Sequence, residues 1–288
     1  MLARLKSPTE LSVQRRGQGM TVLCLHGHPG TGQCMSVFTD YLSPYFQTVA
    51  PDLRGYGRSR THRPFTMDQH LEDLSELLAS VGQPCLLLGW SLGGILAMEL
   101  ALRHPEQIAG LILVGTAARP VGRHPAITWQ DNLLTGIAGI VNWLLPGWSW
   151  NITTFGQRSL FRYLVSQHSR RAYGYIAREG TPAFLQTSTL ANRALSAALR
   201  QGYNRLGELH RIQHPCLMLA AANDVHITPE SSQETAAALP RCDWHMYQNV
   251  AHLMPWEIGP QLCDDIGQWL QKNGFLDPSI PKSMPKQK

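Results

Sequence analysis

Apolar positions along the chain follow two rhythms. Short, nearly continuous apolar runs occupy residues 20–25, 47–50, 84–88, 108–114, 216–220 and 243–247. Runs of this length between turn residues suit strands buried on both faces. Between them, apolar residues recur at helical spacing. Met67, Leu71, Leu74, Leu78 and Val81 follow Thr66 and Gln69, a pair spaced as a capping box. Ile95, Met98 and Leu102 share one face of a helix expected over 94–104, which Pro105 stops. Helices are also expected over 229–239 and, closing the chain, over 256–270. Strands alternating with helices predict an α/β protein with a mostly parallel, doubly wound sheet.

The alternation lapses after residue 117 and resumes at 208, which marks residues 118–207 as an inserted helical cap. Residues 1–117 and 208–275 then make the core, and a solvated tail is expected from Leu276 to Lys288. Within the insert, residues 133–145 are almost wholly apolar and are followed by Pro146-Gly147-Trp148-Ser149-Trp150. Thirteen residues fall short of the roughly 20 that a membrane span requires. The stretch reads either as a buried or pocket-lining cap helix, or as a face that dips into lipid with Trp143, Trp148 and Trp150 at the interface.

Charge sharpens this picture. The chain of 288 residues carries a net charge of +5, yet residues 118–207 hold ten arginines, no lysine and only Asp131 and Glu179 as acids. An electropositive pocket entrance favouring anionic substrates or carriers is the expectation, with anionic headgroups or an acidic carrier protein as possible contacts. No recognition motif for nucleic acid accompanies the charge. Cys24, Cys34, Cys85, Cys216, Cys242 and Cys263 are scattered without a C-x-x-C pair, as expected of small buried hydrophobes in a reducing compartment. Residues 1–6 lack the apolar run of a signal peptide, so a cytoplasmic protein is expected, with a peripheral membrane contact open.

The chemistry concentrates where strands end. Gly89-Trp90-Ser91-Leu92-Gly93 lies between the apolar run at 84–88 and the helix that follows. A serine on a sharp strand-to-helix turn flanked by glycines is a nucleophile elbow, where a Cβ on either side would clash. Serine is a weak nucleophile and needs a base held by a third group. His252, after the last strand, is the candidate base; Asp224, after the run at 216–220, is the candidate acid. His245 sits inside a strand, and His226 is only two residues from Asp224, so neither suits the role. Asp224 also reads as a simple cap for the helix beginning at Pro229.

The order Ser91, Asp224, His252, with these strand contexts, resembles the α/β-hydrolase fold with a helical cap, over nearly the whole chain. The resemblance implies an oxyanion hole from the Leu92 N–H and, through an H-G-x-P loop at His26-Gly27-His28-Pro29, the His28 N–H. It also implies a cis bond between His28 and Pro29, and a structural turn over Asp52–Ser59. The elbow is locally similar to that of esterases that demethylate a pimeloyl-carrier-protein ester. Trp90 and Trp143 are expected to touch substrate. The His26-x-His28 pair has no nearby carboxylate or further histidine, so neither a metal nor another cofactor is expected. The expected function is serine hydrolysis of an ester or thioester with an apolar acyl group, through an acyl-enzyme. A cofactor-free lyase or perhydrolase on the same residues, and a non-catalytic receptor or lipid-binding protein, remain alternatives.

Overall fold

The computed structural model describes residues 10–278. The leader reading at 1–6 lies outside the described residues, as do residues 279–288 of the expected tail. Seven strands form one sheet in the order β1-β3-β2-β4-β5-β6-β7. They are β1 (Val13–Arg16), β2 (Thr21–Leu25), β3 (Gln47–Pro51), β4 (Cys85–Trp90), β5 (Ile108–Val114), β6 (Cys216–Ala221) and β7 (Cys242–Tyr247). All neighbours run parallel except β1, which pairs antiparallel with β3 at the edge. The sheet is doubly wound, as the alternating pattern predicts.

Alternation along each strand builds two cores. Val22, Cys24, Leu86 and Leu88 face one side and pack with Phe38, Leu42, Leu262 and Ile266. Leu23, Leu25, Leu87 and Leu113 face the other and pack with Leu71, Leu74, Leu96 and Leu100. Helices α1 (Ser36–Leu42) and α12 (Gly259–Lys272) therefore cover the first face, and α2 (Met67–Val81) and α3 (Leu92–Arg103) the second. Each fully buried leucine contributes about 1.5–3 kcal/mol. The Thr66–Gln69 capping box opens α2, and Gly82, at φ 71°, closes it.

The insert leaves after β5 and returns before β6. It holds α4 (Trp129–Leu144), α5 (Ser149–Thr154), α6 (Phe161–Leu164), α7 (Arg170–Tyr175), a π-turn at Ile176–Gly180, α8 (Thr181–Leu185) and α9 (Thr189–Arg200). Its two ends meet: the Arg205 N–H donates to the Ala118 carbonyl at 2.9 Å. Beyond it, α10 (Pro229–Ala238) follows β6, and the closing helix is divided into α11 (Met254–Glu257) and α12. The break falls at Ile258, which leaves helical geometry at φ −124° and ψ 29°, and Pro260 in the first turn of α12 has no N–H to bond back to the preceding helix.

Four features differ from the sequence expectation. Strand β1 is unheralded by apolar residues, since it is an edge strand with three of its four residues exposed. Helix α1 lacks an evident period because nearly all of it is buried. Helix α3 starts at Leu92, two residues earlier than expected. Leu276, taken as the first tail residue, is buried against the core and bonded through its N–H to the Leu270 carbonyl. The cysteines are all free; five are buried and Cys242 is partly so, with burial raising the thiol pKa of Cys242 to about 12.

Candidate active site

Strand order reverses between β2 and β4, so the loops after these strands open at the carboxyl edge of the sheet, where open α/β sheets bind ligands. The loop after β4 is the elbow. Ser91 sits at φ 54° and ψ −116°, a conformation that L residues seldom adopt. Packing enforces it. A Cβ at Gly89 would come within 2.4 Å of the Gly93 carbonyl oxygen, and one at Gly93 within 2.0 Å of the Leu25 oxygen. Only glycine lets β4, α3 and β2 approach this closely. Thr116 braces the turn from β5, its Oγ1 donating to the Ser91 carbonyl at 2.8 Å.

The three residues separated by 161 positions in sequence meet here. His252 Nε2 lies 3.0 Å from Ser91 Oγ, and His252 Nδ1 lies 2.7 Å from Asp224 Oδ2. Asp224 is buried, and burial alone would raise its carboxyl pKa. His252 beside it, together with the N–H groups of Ile227 and His226 on Oδ1, holds it below the ordinary carboxylate value. An ionised Asp224 accepts from Nδ1–H, which leaves Nε2 as the acceptor for the Ser91 hydroxyl. Asp224 does not cap α10; Thr228 does, its hydroxyl accepting from the Ser231 N–H.

Leu92 is the first residue of α3, where helical N–H groups lack partners and the dipole favours negative charge. The loop after β2 brings His28 alongside. A Cβ on Gly27 would stand 3.1 Å from Ser91 Cβ, which measures how tightly this loop presses on the elbow. The His28–Pro29 bond is cis. His26 has both ring nitrogens engaged: Nε2 accepts from the Leu53 N–H at 3.0 Å, so Nδ1 donates to the Gly27 carbonyl at 2.7 Å. Burial pushes its pKa down to about 4, keeping it neutral and structural. The Asp52–Ser59 turn is also a brace. Asp52 accepts from the N–H groups of Gly32 and Arg58, and Ser59 donates to the Asp52 carbonyl. Tyr56, within that turn, reaches His28 Nδ1 at 2.8 Å. Among the described residues, no cluster of three or more His, Cys, Asp or Glu is arranged to hold a metal ion.

The two tryptophans expected at the substrate occupy different settings. Trp90 is buried behind His252: its Nε1–H donates to the His252 carbonyl at 3.3 Å and its ring packs edge-on against Trp256. Its position on a β-strand, pointing into the sheet's core face, decides this. Trp143 lies on the outer surface of α4, 59% exposed. His245 is exposed on β7. His226 shares a hydrogen bond with His124 at 2.7 Å and its ring centroid lies 4.9 Å from that of His252. Burial, helped by the neighbouring histidines, pushes its pKa down to about 3. Four arginines of the insert are consumed in ion pairs: Arg119 with Glu234, Arg123 with Glu230, Arg162 with Asp131, and Arg205 with Glu99. The entrance is less electropositive than composition alone implies.

The insert touches all three converging loops. The Asn192 side chain on α9 faces His28 and opposes the lowering of its pKa by burial, Arg123 N–H donates to the Val225 carbonyl beside Asp224, and the Leu164 carbonyl accepts from the Leu253 N–H beside His252. Sequence reading missed Glu257 and Thr116 as site supports. Glu257 takes the Ala251 N–H on Oε1 and the Ser166 and Gln167 N–H groups on Oε2, so one carboxylate joins the His252 loop to the insert. Its spacing of five residues after His252 was the available signal. An open cleft of about 340 Å³ lies between α2, α3 and α9, with Leu92 in its lining, and one of about 380 Å³ lies between the start of α2 and α9; neither is lined by Ser91, Asp224 or His252.

Residues 18–258 match the model of the serine aminopeptidase S33 family of hydrolases. The chain belongs to this family. It is an α/β-hydrolase, and solved structures share its architecture. An esterase from Thermogutta terrifontis superposes with a TM-score of 0.71 at 24% identity, covering 91% of this chain and 93% of that one. Among curated relatives, a pimeloyl-[acyl-carrier protein] methyl ester esterase from Nitrosospira multiformis is 28% identical over 250 residues, 84% of this hydrolase and 91% of the relative. The proline iminopeptidase PfmaB from Pestalotiopsis fici is 24% identical over 272 residues, 87% of this chain and 92% of the relative. No helix among the described residues is long and apolar enough to cross a membrane.

Proposed function

We propose that the protein is a serine hydrolase that cleaves a carboxylic ester or thioester with an apolar acyl group. The observation that carries this reading is the continuous hydrogen-bonded line from Asp224 through His252 to Ser91. Ser91 Oγ attacks the carbonyl carbon while its proton passes to His252 Nε2, and Asp224 stabilises the imidazolium. The N–H groups of Leu92 and His28 bind the oxyanion, a contribution of about 3–4 kcal/mol per donor in comparable sites. The leaving alcohol or thiol takes the proton from His252 as the carbonyl re-forms. Water, deprotonated by His252, then attacks the acyl-enzyme, and Ser91 recovers its proton as the free acid departs.

The family name and one relative also raise peptide-bond cleavage. Holding a free amino terminus calls for a carboxylate facing the site. The insert's two carboxylates are both committed: Asp131 pairs with Arg162, and Glu179 accepts from Ser36 while burial raises its pKa to about 7. Ester chemistry is therefore the better fit, and the pimeloyl-ester relative supports an acyl substrate.

A series of nitrophenyl esters from two to sixteen carbons, run alongside an aminoacyl nitroanilide and carrier-linked esters, tests the reading. A burst of nitrophenol, lost in Ser91→Ala without loss of fold, is the expected result. Ester turnover that survives Ser91→Ala, or turnover of the anilide alone, overturns it.

A further inference from the structure

Helix α4 is amphipathic in the wrong sense for a buried cap helix. Its inward face carries polar anchors beside the buried Ala138: Asn142, fully buried, donates to the Tyr173 carbonyl and accepts from the Gly147 N–H. Asp131, also buried, pairs with Arg162 and caps the helix start. Its outward face is apolar. Trp129 (72% exposed), Leu133, Ile140 (63%), Trp143 and Leu144 recur at positions i, i+4, i+11, i+14 and i+15, one stripe about 100° wide. Gly136 lies within the same stripe with nothing near it, so no bulky group interrupts it. Sixteen residues give a strip about 24 Å long. Beyond its C-terminal end, Trp148 and Trp150 pack together, each about half exposed. Contiguous exposed apolar surface on this scale marks an interaction site.

The charge around the stripe has one sign. Both acids of the insert are buried, so every exposed charged side chain between residues 118 and 207 is an arginine. Arg158, Arg170, Arg171, Arg178, Arg193 and Arg200 are exposed and carry no ion pair among the described residues. One of them can be located beside the tryptophans: Arg170 donates through Nε to Ser149 Oγ, between Trp148 and Trp150.

We infer that the outward face of α4, with Trp148, Trp150 and Arg170, docks this protein onto an anionic lipid surface. Indole rings favour the boundary between apolar chains and headgroups, and guanidinium groups beside them meet lipid phosphates. A second copy of the chain would set arginine against arginine across a two-fold contact, which charge opposes. A protein partner with an acidic face matches the arginines but leaves a broad, uninterrupted apolar strip without a shaped counterpart. The docking is independent of the hydrolase reading, because it needs no atom of Ser91 or His252.

The full-length chain is sedimented with vesicles of phosphatidylcholine, with and without phosphatidylglycerol, while tryptophan emission is followed. Binding to the anionic vesicles at low salt, with a blue shift in emission, is expected. Ile140→Glu and Trp143→Glu each weaken the partition by about tenfold or more, and Arg170→Ala by about fivefold on anionic vesicles alone. Ser91→Ala binds as the parent does. Trp143→Ser replaces either glutamate variant if its melting curve shifts. Failure to bind anionic vesicles at low salt overturns the inference, as does binding that ignores both α4 substitutions. Self-association, or capture of an acidic carrier protein, that depends on Trp143 while vesicles are ignored overturns it equally.

Discussion

The Glu257 carboxylate accepts the Ala251 N–H at 2.8 Å, and so fixes the loop that presents His252 without touching the imidazole. The other oxygen takes two N–H groups from the insert. Glu257→Gln turns one acceptor into a donor facing an N–H group. Hydrogen bonds to a charged group contribute about 1.5–3 kcal/mol. A fall in kcat of about tenfold with KM nearly unchanged is the expected signature of a positioning role. Steady-state kinetics on a short ester, with circular dichroism to verify the fold, measure it; an unchanged kcat refutes it.

Asp224→Asn keeps the shape of the side chain but not its charge. The amide cannot stabilise a positive His252, and it favours the wrong tautomer. A drop of about 10⁴ in kcat is expected from the behaviour of comparable triads. The native carboxyl, held below its ordinary pKa of 3.8, stabilises the fold fully above that value. That stabilisation is lost only as pH falls through the lowered folded value. Urea melts below pH 4 therefore separate the parent from the variant in stability less and less as acid is added.

Gly27→Ala tests the pressure on the elbow of the loop after β2, which we propose supplies an oxyanion donor. The added methyl meets Ser91 Cβ at 3.1 Å and the Trp90 carbonyl at 3.2 Å, so the neighbours must give by a few tenths of an ångström. Displacement of this size next to reacting atoms costs catalysis more than stability. Turnover should fall by about a hundredfold while the melting temperature moves by a few degrees. Equal losses in both would show that the loop is merely packed.

Glu179 makes a pH-dependent link between insert and core. It is buried and accepts from Ser36, and its pKa rises from 4.5 to about 7. The folded state therefore holds the proton more tightly than the unfolded chain. Its contribution is complete below 4.5 and is lost as pH climbs to about 7, by about 3 kcal/mol at most. Glu179→Gln should remove that slope and leave the protein more stable than the parent at pH 8. Parallel slopes for both proteins between pH 5 and 7 would exclude the link.

Much of the core was legible because parallel strands buried on both faces need apolar runs, and β2, β4, β5 and β6 carry them. Strand β1 escaped because an edge strand answers to its hydrogen bonds and not to a core. The meeting of Ser91, Asp224 and His252 could be anticipated since each ends a strand or follows one, and strand ends share one edge of the sheet. Trp90 stands where strand geometry puts it. It sits beside the serine in sequence, but a strand turns successive side chains to opposite faces, and Trp90 faces the core. Trp143 shows the limit of a helical pattern: apolar residues on a helix look the same whether they face inward or out. Only the buried Asn142 and its partners reveal which way α4 is turned.

The insert begins and ends at a single hydrogen bond, from the Arg205 N–H to the Ala118 carbonyl. An excursion that returns to its own starting point can lengthen, shorten or be exchanged for a relative's without re-threading a strand, provided the closing pair still meets and Ser166 and Gln167 still reach Glu257, on which the His252 loop rests. Selection can thus rewrite the helices between these fixed points, and a graft at Ala118 and Arg205 that keeps them gives protein engineers the same freedom.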